Sequence, residues 1–398
     1  IQWFPYYTLF LLKTLRQGRP KAAVLTGLFA ALCLCAELTF GVFLLFITLF
    51  IFVDAWYRKM ASLTTLLIRL VPAGAVALGL TAPFILAVLP DFIDPAYNEP
   101  GWGEGLKLSA DLVGLVTLTP LHPLVGTDWI TELRAVIEGT SRFSDANTLF
   151  LGYAILAVAI GGFIAFRKVT AVWFWSAVIF TILSLGPLLT INGQNRFNLD
   201  GLEVTFPLPF ALLHYVPILS ANRVPNRFGI PLTLSLAILV GYGLVWLLNL
   251  LALRRGEKRA SSAPQPGLVL LTITTLFLLV VLLFDQISVP IPLTDARIPG
   301  VYSQIGAETG DFALMQLPLG WRNSYGTLGS ERTQLQYYQS AHLRPMLGGN
   351  TSRNPAFKFD YFASIPLFKA ITEVELYRPV DDALRERARQ QAAELMTL

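Results

Sequence analysis

The sequence predicts an α-helical polytopic membrane protein of about eight membrane helices, followed by a small C-terminal α/β domain. Three observations carry that prediction. Only 14% of the 398 residues are Asp, Glu, Lys or Arg while 54% are apolar, so there is too little charge to cover a water-facing surface and too much apolar area for a disordered chain. Five stretches, at 70–90, 146–166, 169–195, 228–253 and 260–284, contain no charged residue. Each is long enough to cross about 30 Å of hydrocarbon at about 1.5 Å per residue. Beyond Asp285 the charge density returns to that of an ordinary soluble domain.

Taken in order, residues 1–12 read as the end of a first span. Residues 22–57 are interrupted only by Glu37 and Asp54, too long for one span and short for two. They predict two short helices that meet near Glu37. The five uncharged stretches follow, with Pro83 expected to kink the first of them and Pro225 suited to the opening turn of the fourth. Basic residues set the orientation. The loops at 13–21, 54–69, 167–168 and 254–259 hold thirteen Lys or Arg against two acids, which places them in the cytoplasm. The alternate loops at 91–145 and 191–227 hold six basic and eleven acidic residues, which places them outside. The domains expected are therefore a membrane domain over 1–285 and an extracytoplasmic domain over 286–398. Within the latter the pattern predicts helices near 301–308, 331–340, 356–372 and 381–397, and a buried strand at 312–317. The semi-apolar stretch 112–126, broken by Pro120 and Pro123, is expected to lie along the membrane interface as short helices. The first residue, Ile1, and the last, Leu398, fall inside apolar and helical patterns, so the chain reads as a fragment lacking both ends.

Several function classes find no support. The net charge of +4 is spread over the ends of apolar runs, as topology requires, and gives no basic patch for nucleic acid. Cys33 and Cys35 point to separate faces of one helix and cannot pair, and the three histidines, His122, His214 and His342, lie far apart without a zinc-binding spacing. No metal site is expected from the residues. The glycines of Gly101-Trp-Gly-Glu-Gly105 neither follow a strand nor open a βα unit, so they do not make a phosphate loop. The polar run at 348–353 could hold an anion or sugar, or form a tight turn between packed elements.

The strongest candidate site is the segment Ala-Asn-Arg-Val-Pro-Asn-Arg-Phe at 221–228. Arg223 and Arg227, with Asn222, stand at the outer end of a span and against the basic-inside trend. A helix N-terminus already carries partial positive charge, so two guanidiniums beside it call for a compensating anion such as a lipid phosphate. Asp111 and His122, in the preceding outer loop, offer a carboxylate and an imidazole as proton acceptors or sugar ligands, or alternatively a helix cap and a loop histidine. Glu37 reads as a solvated acid at the tip of the hairpin.

Four stretches carry a family likeness: SADLVGLVTLTPLHPL at 109–124, ANRVPNRF at 221–228, GDFALMQLPLGWRN at 310–323 and QYYQSAHLRPMLGGNTSRNPAF at 336–357. Over most of its length the chain resembles bacterial membrane proteins of the GT-C glycosyltransferase class with an outward α/β tail. That resemblance implies an enzyme of the bacterial cytoplasmic membrane that moves a sugar from a polyprenyl-phosphate donor to a glycan or lipid acceptor at the outer face. A divalent cation is allowed by the resemblance alone. The catalytic acid of the class typically sits in the first outer loop, which this sequence does not include, so no catalytic residue is carried over. The competing expectation is a non-enzymatic membrane protein, either a lipid or saccharide transporter or an envelope-assembly scaffold.

Overall fold

The computed structural model describes residues 1–93, 103–119, 121–124, 147–213, 215–216, 224–253, 266–289, 293, 295–322, 326–351 and 356–395. The chain is mostly helical and divides into two compact units, one of Ile1–Leu86 and Trp102–Ile291, the other of Ala87–Gly101 and Pro292–Leu398.

Among the described residues eight helices overlap the stretches that the sequence marks: α1 Trp3–Gln17, α2 Pro20–Ala36, α3 Phe40–Tyr57, α4 Leu63–Ile93, α5 Tyr153–Ala165, α6 Arg167–Ser184, α7 Gly229–Leu253 and α8 Pro266–Asp285. Among the described residues three are long and apolar enough to cross a membrane, over Phe40–Tyr57, Leu63–Pro90 and Pro225–Leu250. The others fall short for local reasons. The stretch at 146–166 becomes helical only after Gly152, whose φ of 89° is a left-handed conformation, so α5 has 13 residues and spans about 20 Å. The stretch at 169–195 ends its helix at Ser184, where Gly186 (φ 78°) and Pro187 break the ladder. The α2–α3 hairpin turns at Glu37–Thr39, as expected.

Helix packing in this unit depends on small residues. Gly162 of α5 lies against the backbone of Leu239 and Gly243 in α7, and Gly243 lies against the Val158 carbonyl, with no room for a Cβ at either position. Gly161 accommodates the Trp246 ring in the same seam. Such close backbone approach replaces the hydrophobic driving force that apolar surroundings cannot supply. A second seam is aromatic: Phe43 and Phe46 of α3 meet Phe228 at ring separations of 5.1 and 6.0 Å, and Phe50 meets Phe180 of α6 at 5.3 Å. These edge-on contacts fix the turn Pro225–Phe228 against α3 and α6. At one end of the bundle Asp54 bridges Arg16 at 3.2 Å and Arg58 at 2.6 Å, and Arg69 donates to the Leu15 carbonyl. The basic loops at 13–21 and 54–69 are thereby drawn together.

The stretch beginning at 112 contains a short 3-10 helix, Val113–Leu115, with Leu115 and Leu118 buried and Leu112, Val116 and Leu124 exposed. Its remainder, at 120 and 125–126, lies outside the described residues. The loop at 191–227 contains a hairpin of β1 Phe197–Leu199 and β2 Leu202–Val204, in antiparallel register. Asp200 and Gly201 take φ of 52° and 92° at its turn, the conformations that an Asp-Gly pair favours.

The second unit holds α9 Gly300–Ala307, β3 Leu314–Met315, β4 Gly320–Arg322, β5 Thr327–Gly329, α10 Gln334–His342, β6 Met346–Leu347, β7 Gly349–Asn350, α11 Ala356–Ser364, α12 Pro366–Glu375 and α13 Asp382–Leu395. Its strands make two small sheets, β3–β6 parallel and β5–β4–β7 mixed. The expected buried strand at 312–317 is reduced to Leu314–Met315, and Met315 and Leu317 are exposed at 47% and 65%, because Pro318 cannot continue a ladder. The run at 348–353 is in part a strand: Gly348 turns the chain and Gly349–Asn350 pairs with β4. The expected helix at 356–372 is two helices, α11 and α12, because Ile365 takes the extended conformation that precedes Pro366.

The α5–α7 seam makes a direct prediction. Gly243→Ala should destabilise the protein by about 1–3 kcal/mol, the usual cost of overpacking, whereas Gly241→Ala, two residues away with open space beside it, should be neutral or stabilising. Unfolding of the two variants in the same detergent checks this, and equal behaviour would remove the seam from the account.

Candidate functional site

Four segments of the chain meet around residues 107–115 of the first unit. Asn147 Nδ2 donates to the Lys107 and Ser109 carbonyls at 3.0 and 2.7 Å, and its own carbonyl accepts the Asp111 N–H at 2.9 Å. Ala110 N–H bonds to the Ser184 carbonyl at the end of α6, and Asn226 N–H bonds to the Leu108 carbonyl at 3.2 Å. Residues 107–115 thus lie against the end of α6, the approach to α5 and the turn that opens α7.

Asp111 is fully buried. One carboxylate oxygen accepts the N–H of Val113 at 2.8 Å and of Asn192 at 3.0 Å, and the other accepts that of Gly193 at 2.8 Å. Three backbone donors engage the charge, an arrangement that clamps the Asn192–Gly193 turn to the 3-10 turn at Val113. His122 is likewise buried. Its Nε2 donates to the Phe284 carbonyl at 2.9 Å and its Nδ1 accepts the Leu124 N–H at 3.1 Å, which fixes the tautomer with the proton on Nε2. The ring also meets Phe284 edge-on at 5.3 Å. The contacts of both side chains are therefore those of the alternative that the sequence left open, Asp111 capping the turn at Val113 and His122 tying its loop to the end of α8.

Arg227 sits in the 3-10 turn Pro225–Phe228, with Phe228 locked into the aromatic seam. Its Nη1 bonds to Glu37 Oε1 at 3.1 Å, and Thr39 Oγ1 donates to the same oxygen at 3.0 Å. The side chains are 40% and 42% exposed, so water screens the pair and its worth is on the order of 0–1 kcal/mol. Glu37 is therefore Arg227's partner rather than a freely solvated tip. Asn222 and Arg223 lie outside the described residues. Asn147 and the Asn192–Gly193 turn are the additions to the expected set; the Asn-Gly dipeptide is a turn signal legible in the sequence, while nothing local to Glu37, which the sequence did single out, points to a partner 190 positions away.

Among the described residues no group of three or more His, Cys, Asp or Glu could hold a metal ion, so the cation that the resemblance allows finds no ligand set there. No family model, no curated protein and no solved structure matches the chain.

The second unit contains a buried titratable group outside this region. His342 is 2% exposed, its Nδ1 accepts the Arg344 N–H at 3.1 Å, and its Nε2 has no partner among the described residues. Burial, and then the Arg344 charge, push its pKa down. The native unit thus binds fewer protons than the unfolded chain. The stability contributed is present above the unfolded value of about 6.5 and is lost as pH falls through the lower folded value. Amide exchange over α10 and β6, corrected for intrinsic rates, should accelerate between pH 7 and 5 and respond less in His342→Gln. Identical pH dependence in both proteins would exclude His342 as the cause.

Proposed function

We propose that the protein is a membrane glycosyltransferase that engages a polyprenyl-phosphate sugar at the outer face of the bacterial cytoplasmic membrane, with a glycan or lipid as acceptor. The observation that supports this most directly is Arg227. It stands at the start of an apolar helix long enough to span, half exposed, with a single weakly held carboxylate partner among the described residues. A guanidinium at a helix N-terminus is disfavoured by the dipole and seeks an anion, and a donor phosphate can share or displace the Glu37 contact at little cost. In transfer the same charge would stabilise the departing phosphate. Arg223, four positions earlier, and Asn222 would extend the site. No residue is assigned as the base, since both carboxylate oxygens of Asp111 and both ring nitrogens of His122 are engaged. That engagement is also what favours the second reading, a non-enzymatic lipid-binding scaffold or transporter.

The proposed topology has all eight apolar helices crossing, the basic loops inside and residues 286–398 outside. It rests on the basic-residue count and on the gathering of Arg16, Asp54, Arg58 and Arg69 at one end of the bundle. In a background lacking Cys33 and Cys35, an impermeant thiol reagent should label Ser303→Cys in intact cells and Ser62→Cys only after lysis. The opposite pattern would invert the topology.

For the site, the protein in nanodiscs should bind a polyprenyl-phosphate sugar, and Arg227→Ala should weaken binding by about 1.5–3 kcal/mol, roughly 10- to 150-fold, the range for a hydrogen bond to a charged group. Glu37→Gln should keep or tighten binding. Donor affinity unchanged in Arg227→Ala would end the proposal. Arg227-dependent binding without turnover on any acceptor would select the scaffold or transporter.

A further inference from the structure

Between α12 and α13 of the second unit lies a cavity of about 360 Å³, within the size range of small-molecule sites. Ser364, Lys369, Glu373, Asp381, Leu384 and Arg387 are among its lining residues. Its charged groups divide into two kinds. The carboxylates are engaged within the fold: Asp381 Oδ1 accepts the Leu384 N–H at 2.6 Å and so caps α13, and Glu373 Oε1 faces Arg378 Nη1 at 3.5 Å. The cations are not. Lys369 forms no ion pair or side-chain hydrogen bond among the described residues, and Arg387 uses only Nε, which donates to the Ala383 carbonyl at 3.3 Å, leaving both terminal nitrogens without a partner. Two cations on two different helices therefore line one polar hollow beside two acids that each have one oxygen engaged within the fold.

We infer that this cavity binds a phosphate monoester, with Lys369 and Arg387 as its ligands. A phosphate monoester carries a charge of about −1.5 to −2 at neutral pH and three acceptor oxygens. The guanidinium supplies the two parallel donors that grip two of those oxygens, and the ammonium supplies a compact charge for the third. Ser364 Oγ, which donates to the Tyr361 carbonyl, keeps its lone pairs for a hydroxyl of the ligand. The helices carrying the two cations are anchored by buried Phe368, Thr372, Leu384 and Ala388, and Gln391 Oε1 accepts the Leu367 N–H at 3.0 Å between them, so the site stands on rigid elements. The reading is independent of Arg227 and of any sugar transfer. The phosphate can come from a soluble metabolite or from a lipid headgroup, and the experiment separates these sources.

The test uses the purified full chain and the variant Lys369→Gln/Arg387→Gln. Glycerol 3-phosphate should bind saturably by calorimetry while glycerol does not, and the double variant should weaken binding at least tenfold with its thermal unfolding unchanged. That result assigns a soluble ligand. Slowed amide exchange over α12 and α13 in phosphatidate nanodiscs but not in phosphatidylcholine, lost in the double variant and without glycerol 3-phosphate binding, assigns a lipid headgroup. If the double variant does not fold, Lys369→Gln alone decides, since Lys369 makes no contact that its loss would break. Absence of both signals, or a signal that survives removal of the cations in a folded protein, overturns the inference.

Discussion

One buried carboxylate organises the loops around residues 107–115 of the first unit. Asp111 is fully buried and obtains its hydrogen bonds from three backbone N–H groups on two turns far apart in sequence. A buried charge without such donors would cost several kcal/mol, so the turns at Val113 and at Asn192–Gly193 are held wherever Asp111 is held. Asn147 secures the same segment, and the neighbouring Leu108 carbonyl receives the N–H of Asn226. The placement of Arg227 thus depends on two supports: the backbone lattice around residues 107–115 and the aromatic seam around Phe228.

The helical bundle obeys a different constraint. Its surfaces are apolar on every side, so pattern alone cannot tell one face from another, and what selects the contacts is the shape available where glycines allow backbones to meet. Gly162 and Gly243 define that shape in α5 and α7. This is why helices could be located from runs poor in charge while their ends could not. Absence of charge marks what water does not need to reach, and the segments at 147–151 and 187–192 meet that condition without being helical: their polar backbone groups are satisfied by neighbouring loops.

The candidate site was legible in the same partial way. The sequence singled out Asp111, His122, Arg227 and Glu37, and each is held by specific contacts in the structure. What it could not supply was the pairing. The choice between reactive and structural roles for Asp111 and His122 turns on who donates to them, and those donors, Asn192, Gly193 and Leu124, act through main-chain N–H groups that every sequence contains. In the second unit the short strands β3 to β7 have two or three residues each, below the length at which alternation becomes a signal.

The contact between Glu37 and Arg227 joins positions 190 residues apart. At ribosomal rates of about 5–20 residues per second, the hairpin of α2 and α3 exists for roughly 10–40 s before its partner is made. During that interval Glu37 has only Thr39 and solvent to satisfy it, and Phe43 and Phe46 lack the ring they later pack against. Synthesis of the turn Pro225–Phe228 delivers the cation and the aromatic ring together, one residue apart. The early hairpin is therefore an open clasp, and the arrival of α7 is the event that shuts it.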